Sequence, residues 1–141
     1  MKKIIAAFLF FGCALHAQDT PKAAVEKFFV AFHARDTVAL RGAMHPTAVL
    51  HSVSERRDGP KLTHETVADL VKSIGSIPAD MKFEEKLLAF NEQIDGNMAH
   101  VWTPYEFFLN GKRSHGGVNS FQLVREGGQW KIIHLSDTRR K

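Results

Sequence analysis

The C-terminal half of the chain alternates apolar and polar residues with a period of two, the pattern of half-buried strands, and turn dipeptides punctuate the runs. Asn110-Gly111 separates Val101–Leu109 from a run beginning at Lys112, and Gly127-Gly128 separates Phe121–Glu126 from Gln129–Leu135. Both pairs suit two-residue hairpin turns, which need positive backbone angles. Asp95-Gly96 offers a third turn, back to a strand between Met81 and Ile94. The spacing predicts a curved four-strand antiparallel meander with its centre between Met98 and Arg139.

Counting outward from two-residue turns sets Glu106 opposite His115, Trp102 opposite Asn119, Phe121 opposite His134 and Asn119 opposite Ser136. Successive side chains point to opposite faces. Trp102, Glu106, His115, Asn119, Phe121, His134 and Ser136 are therefore expected on one face. Val101, Thr103, Tyr105, Phe107, Val118, Ser120, Gln122, Ile133 and Leu135 are expected on the other. Pro104 cannot donate to a ladder and calls for an edge or a bulge, and a bulge there would move Trp102 to the face of Tyr105 and Phe107. Both faces carry apolar residues. Helices should cover one, and a second copy of the chain or solvent-tolerant aromatics the other.

The period changes toward 3.6 upstream. Thr20-Pro21 reads as N-cap and first helical residue, followed by Ala24, Val25, Phe28, Phe29 and Phe32 at helical spacing to about Arg35-Asp36. Thr37 is expected to cap a shorter helix with Val38, Leu40, Ala43 and Met44 inward, stopped by Pro46. Thr47–Val53 reads as a strand and Ser54–Pro60 as a charged turn. Thr63–Thr66 leads into a third helix, Val67–Ile74, with Leu70, Val71 and Ile74 as its apolar face and Gly75 and Pro78 beyond its end.

The first residues follow a different logic. Met1-Lys2-Lys3, the apolar run Ile4–Phe11 and the small-residue end Leu15-His16-Ala17 read as a secretory signal peptide over residues 1–17, leaving one domain over 18–141 and a periplasmic or secreted product. The apolar run is far short of the roughly 20 residues of a membrane span. A lipoprotein acylated at Cys13 is the competing case, disfavoured by Phe10-Phe11 before the site. Removal of the leader would take with it the single cysteine and lower the formal charge from +4 to +2, since Lys2 and Lys3 go and no acidic residue precedes Asp19. The remaining basic runs, Arg56-Arg57 and Arg139-Arg140-Lys141, make no stripe for nucleic acid.

The order of elements resembles the nuclear transport factor 2-like superfamily across Pro21–Arg139. The last strands, Trp102-Thr103-Pro104-Tyr105-Glu106-Phe107, Ser114–Val124, Trp130-Lys131-Ile132 and Asp137-Thr138-Arg139, are similar to SnoaL-like and lumazine-binding-like members. The resemblance implies an α+β, cystatin-like roll: a cone-shaped curved antiparallel sheet wrapped around three N-terminal helices, with a pocket at its open end. The superfamily holds isomerases, dehydratases, epoxide hydrolases and cyclases beside members that only bind ligands or subunits, so the fold alone assigns no reaction.

Candidate chemistry rests on the residues expected to face the pocket. A His115–Glu106 pair would raise the imidazole's pKa and fix its tautomer for proton transfer; the bland alternative is a structural polar pair. Trp102, Tyr105 and Phe121 could stack on a planar or apolar ligand, or simply fill the core. Asn119, His134 and Ser136 could hydrogen-bond its oxygens. Asp137 and Arg139, two apart on one strand, could pair at the sheet end, or Arg139 could take an anion. His45, His51, His64 and His100 lack metal-site spacing, so no metal and no cofactor is expected. The leading expectation is an exported small-ligand-binding protein without established catalysis, dimeric through the outer sheet face. A proton-transfer enzyme of isomerase, dehydratase or cyclase type using His115 and Glu106 is the alternative, and a dimeric interaction module the third.

Overall fold

The computed structural model of the chain describes residues 19–141. The expected leader over residues 1–17, with Cys13, lies outside the described residues. Helix α1 spans Pro21–Ala34, with Thr20 Oγ1 accepting from Ala23 N at 3.1 Å, and closes on Arg35 in the left-handed conformation (φ 54°). Helix α2, Thr37–Gly42, is capped by Asp36 rather than Thr37, because the Asp36 carboxylate accepts from both Val38 N and Ala39 N. Only Leu40 of this helix is buried, and Val38, expected inward, is 82% exposed. The long strand β1, Met44–Arg56, returns as β2, Gly59–Thr66.

Helix α3, Val67–Gly75, opens with a complete capping box in which Thr66 and Asp69 satisfy each other's backbone N–H groups. The expected earlier strand of the meander is two short ones, β3 (Phe83–Leu87) and β4 (Asn91–Asp95). Both pair with β5, Met98–Leu109, which leads through β6, Lys112–Glu126, to β7, Gln129–Arg139. Pro104 explains the split. β4 covers Met98–Trp102 and β3 covers Tyr105–Leu109, so the proline falls in the gap, where a missing N–H costs nothing. No bulge forms there, since Pro104 pairs regularly with Val118.

The curved sheet runs β2-β1-β7-β6-β5-β3, and its one parallel contact, β1 with β7, turns the meander into a roll around the helices. Its concave side packs on α1 through Phe28 and Phe121, which are 1% and 0% exposed with ring centroids 5.8 Å apart. Phe29 adds edge contacts at 5.2 Å to Phe28 and 6.0 Å to Phe121. Each such ring contributes about 2–3 kcal/mol on burial.

Two bulges decide which side chains reach the hollow. Both hairpins start in the expected register, with Leu109 opposite Lys112 and Glu126 opposite Gln129. Ser114 is then extruded from β6, so that Phe107, not Glu106, faces His115. Ile133 is extruded from β7, so that His134 faces Gln122 and Phe121 faces Leu135. One extra residue shifts every later pair by one and exchanges the faces.

Candidate functional site at the open end of the cone

Beyond the aromatic cluster the cone stays hollow. A cavity of about 300 Å³ is walled by Phe28, Phe29, Phe32, Phe83 and Phe107 and by Leu70 and Ile74 of α3. Its polar side gathers Glu65 from β2, Ser52 from β1, Glu85 from β3, Tyr105 from β5, His115 and Asn119 from β6, and Asp137 and Arg139 from β7. Six strands thus converge on one small volume.

Glu85 is the most perturbed carboxyl in this group. Burial pushes its pKa up to about 7, opposed by the hydrogen bond from Asn119 Nδ2 to Glu85 Oε1 at 2.6 Å and by Arg139, and assisted by Asp137. Asn119 is itself 4% exposed. The backbone of Glu85 is fixed too, its N–H donating to His33 Nε2 at 2.9 Å. That bond requires an unprotonated Nε2, in keeping with a His33 pKa lowered by burial.

Asp137 and Glu65 are also raised, in each case chiefly by burial. Tyr105 Oη donates to Thr138 O at 2.9 Å and lies 3.4 Å from Asp137 Oδ2; burial, with Asp137 and Glu85 nearby, pushes the phenol far above its ordinary range. Ser52 pairs with Asp137 across β1–β7 and lies close enough to weaken that carboxyl's shift. Its Oγ is buried without a partner in hydrogen-bonding geometry. A hydroxyl left so beside a cavity is a ready contact for a bound molecule.

His115 reaches the pocket without Glu106. Its ring stacks on Phe107 at 4.8 Å, and Nε2 accepts from Arg139 Nε at 3.2 Å. Burial, then Arg139 and Arg113, lower its pKa, the reverse of what a carboxylate partner would do. Glu106 pairs with Gly116 and its carboxylate accepts from Arg113 Nε at 3.0 Å, so the expected His115–Glu106 pair does not form. Arg139 likewise turns to His115 rather than Asp137.

Of the expected ligand contacts, Tyr105 and Asn119 line the cavity. Phe121 lies in the core beneath it. Trp102, His134 and Ser136 do not line it: Trp102 pairs with Ser120, and Ser120 with Ser136, on the convex side, for the reason the bulges give. Glu85, Glu65 and Ser52 were missed. Glu85 sits in the short strand β3, Glu65 in a stretch read as the approach to α3, and Ser52 in a strand whose β7 partner is distant in sequence; only the alternation Phe83-Glu84-Glu85 hinted that one of two adjacent glutamates must point inward.

The architecture recurs in solved structures. The β subunit of a provisionally assigned aromatic-ring-hydroxylating dioxygenase from Novosphingobium aromaticivorans superposes with a TM-score of 0.70 at 9% identity, over 89% of this chain and 90% of that one. An NTF2-like protein from Cytophaga hutchinsonii gives 0.68 at 14% identity, over 84% and 94%. The chain has the NTF2-like fold. A provisionally assigned dehydratase of the NTF2-like family from Streptomyces avermitilis shares it with a TM-score of 0.61 at 13% identity, over 85% of this chain and 93% of that one. No family model and no curated protein matches the sequence. At these identities the NTF2-like likeness is one of fold.

Proposed function

We propose that this NTF2-like cone binds a small, largely apolar and planar molecule and moves a proton on it, with Glu85 as the acid or base. The observation that carries the reading is Glu85 itself: a carboxyl with a pKa of about 7, held by Asn119, at the wall of an aromatic cavity. A group poised near neutrality can both take and return a proton, which an ordinary carboxylate does poorly. The aromatic walls offer ring faces, while the Ser52 and Tyr105 hydroxyls and the Asp137 carboxyl supply polar contacts for the ligand. The Streptomyces neighbour provisionally assigned as a dehydratase agrees with a proton-transfer chemistry on this scaffold. Ligand binding without turnover is the simpler form of the same reading.

Deuterium exchange tests it. The chain is incubated in D₂O with a panel of small cyclic and aromatic ketones, and label beside the carbonyl is followed by NMR. Exchange that Glu85→Gln abolishes supports the proposal. Saturable binding with no exchange leaves a binder, and neither binding nor exchange by the folded protein overturns both.

Two further parts of the reading concern setting. Export is proposed from the Met1–Ala17 pattern. A homodimer is proposed through the convex face, where Trp102 is 45% and Met98 58% exposed beside uncharged neighbours Ser120, Gln122 and Ser136. No helix among the described residues is long and apolar enough to cross a membrane.

A further inference from the structure

The convex side of the sheet carries a cluster that the pocket does not use. His64 faces His51 across β1–β2, and His51 faces Ser136 across β1–β7; His134, two residues before Ser136, shares their side. His51 borders the cavity through its strand but turns its ring to His134. The ring centroids of His51 lie 5.4 Å from those of both His64 and His134. His51 Nδ1 is 3.1 Å from His134 Nε2, which is 3.2 Å from Ser136 Oγ.

The bland account is a pair of neutral imidazoles sharing one proton. The separation has a second meaning. With metal–nitrogen bonds of about 2.0–2.1 Å, two nitrogens on one tetrahedral ion stand roughly 3.3 Å apart, and adjacent nitrogens on an octahedral ion about 2.9 Å. The observed 3.1 Å lies between these values. The cross-strand neighbours on this face, Val49, Ser120 and Gln122, carry no charge, so no fixed cation opposes an incoming one.

We propose that His51 Nδ1 and His134 Nε2 form a chelating pair for a divalent transition ion of the zinc, nickel or copper(II) class. Among the described residues no three histidine, cysteine or acidic side chains already converge on one point. The pair therefore takes its third ligand from Ser136 Oγ, from water, or from His64, whose exposed ring can rotate toward His51. Imidazole is the ligand these ions favour. The pair faces away from the polar wall of the pocket, although His51 also borders the cavity.

The test is a zinc titration of the untagged full chain by calorimetry at pH 7.5 and pH 5.5, repeated with nickel(II) and followed by absorption. One saturable site per chain is expected at pH 7.5, weakened at pH 5.5 as protons compete for the imidazoles. His51→Ala and His134→Ala should each weaken binding roughly tenfold or more, while His45→Ala, near the start of β1 beside Glu126, leaves it unchanged. Folded variants of His51 and His134 that bind zinc as well as the parent would overturn the proposal. So would a folded parent that takes up neither ion at millimolar concentration.

Discussion

Asn119 donates its side-chain N–H to Glu85 across 2.6 Å, joining β6 to β3 over the top of β5. A buried amide on a half-buried carboxyl does two opposed things. It stabilises the charged form and so restrains the burial shift, and it holds the carboxyl in one orientation against the cavity. What remains is a group that titrates near neutrality with its position fixed.

That titration has a consequence for stability. A carboxyl raised from 4.5 to about 7 on folding binds its proton more tightly in the folded state. Its stabilising contribution is therefore complete below pH 4.5 and is lost as pH rises through 7, by on the order of 3 kcal/mol. Glu85→Gln keeps an oxygen for Asn119 and removes the ionisation. Urea unfolding should show the variant equal to the parent at pH 4.5 and more stable at pH 8; equal stability at both values would contradict the shift.

Arg139 governs the neighbouring histidine. Its guanidinium donates to His115 Nε2 and, after burial, is the largest cause of the lowered imidazole pKa. Arg139→Met should raise the His115 midpoint toward its ordinary 6.5 in a proton NMR titration of the ring, and an unmoved midpoint would assign the shift to burial and Arg113 instead.

Gly117 is required by packing, not by backbone angle. A Cβ built there would lie 1.8 Å from Thr138 O, the same carbonyl that accepts from Tyr105. Gly117→Ala must push β6 and β7 apart where the polar wall is assembled, at a cost of about 3 kcal/mol. Thermal unfolding measures it; a variant as stable as the parent would show that the strands do not meet so closely.

The two bulges show why the fold was legible in the sequence and the site only partly so. Hairpin positions depend on local chemistry, and Asn110-Gly111 and Gly127-Gly128 turn where expected, with positive φ at Asn110 and at each glycine. The helix boundaries follow from Thr20-Pro21 and the Thr66–Asp69 box for the same reason. A bulge has no comparable local signal. Ser114 and Ile133 are ordinary strand residues, yet each displaces the later register by one, sending Glu106, His134 and Ser136 outward and Asp137 inward. Glu85 depended on a longer-range fact still, the docking of β3 beside β5 with His33 and Asn119 both in reach.

The convex face carries the dimer proposal, and Trp102 is its largest exposed apolar group. A carboxylate introduced at its centre would be buried unpaired in a twofold contact. Size exclusion with light scattering should report a dimer for the parent and a monomer for Trp102→Glu, with unchanged circular dichroism. A monomeric parent at micromolar concentration would remove the interface.

The proton-transfer reading depends most directly on the ionisation of one side chain. Carbon-13 NMR of the Glu85 carboxyl, assigned by comparison with Glu85→Gln and followed from pH 3 to 10, measures it. The account predicts a midpoint of about 7; a midpoint near the ordinary 4.5 would contradict it.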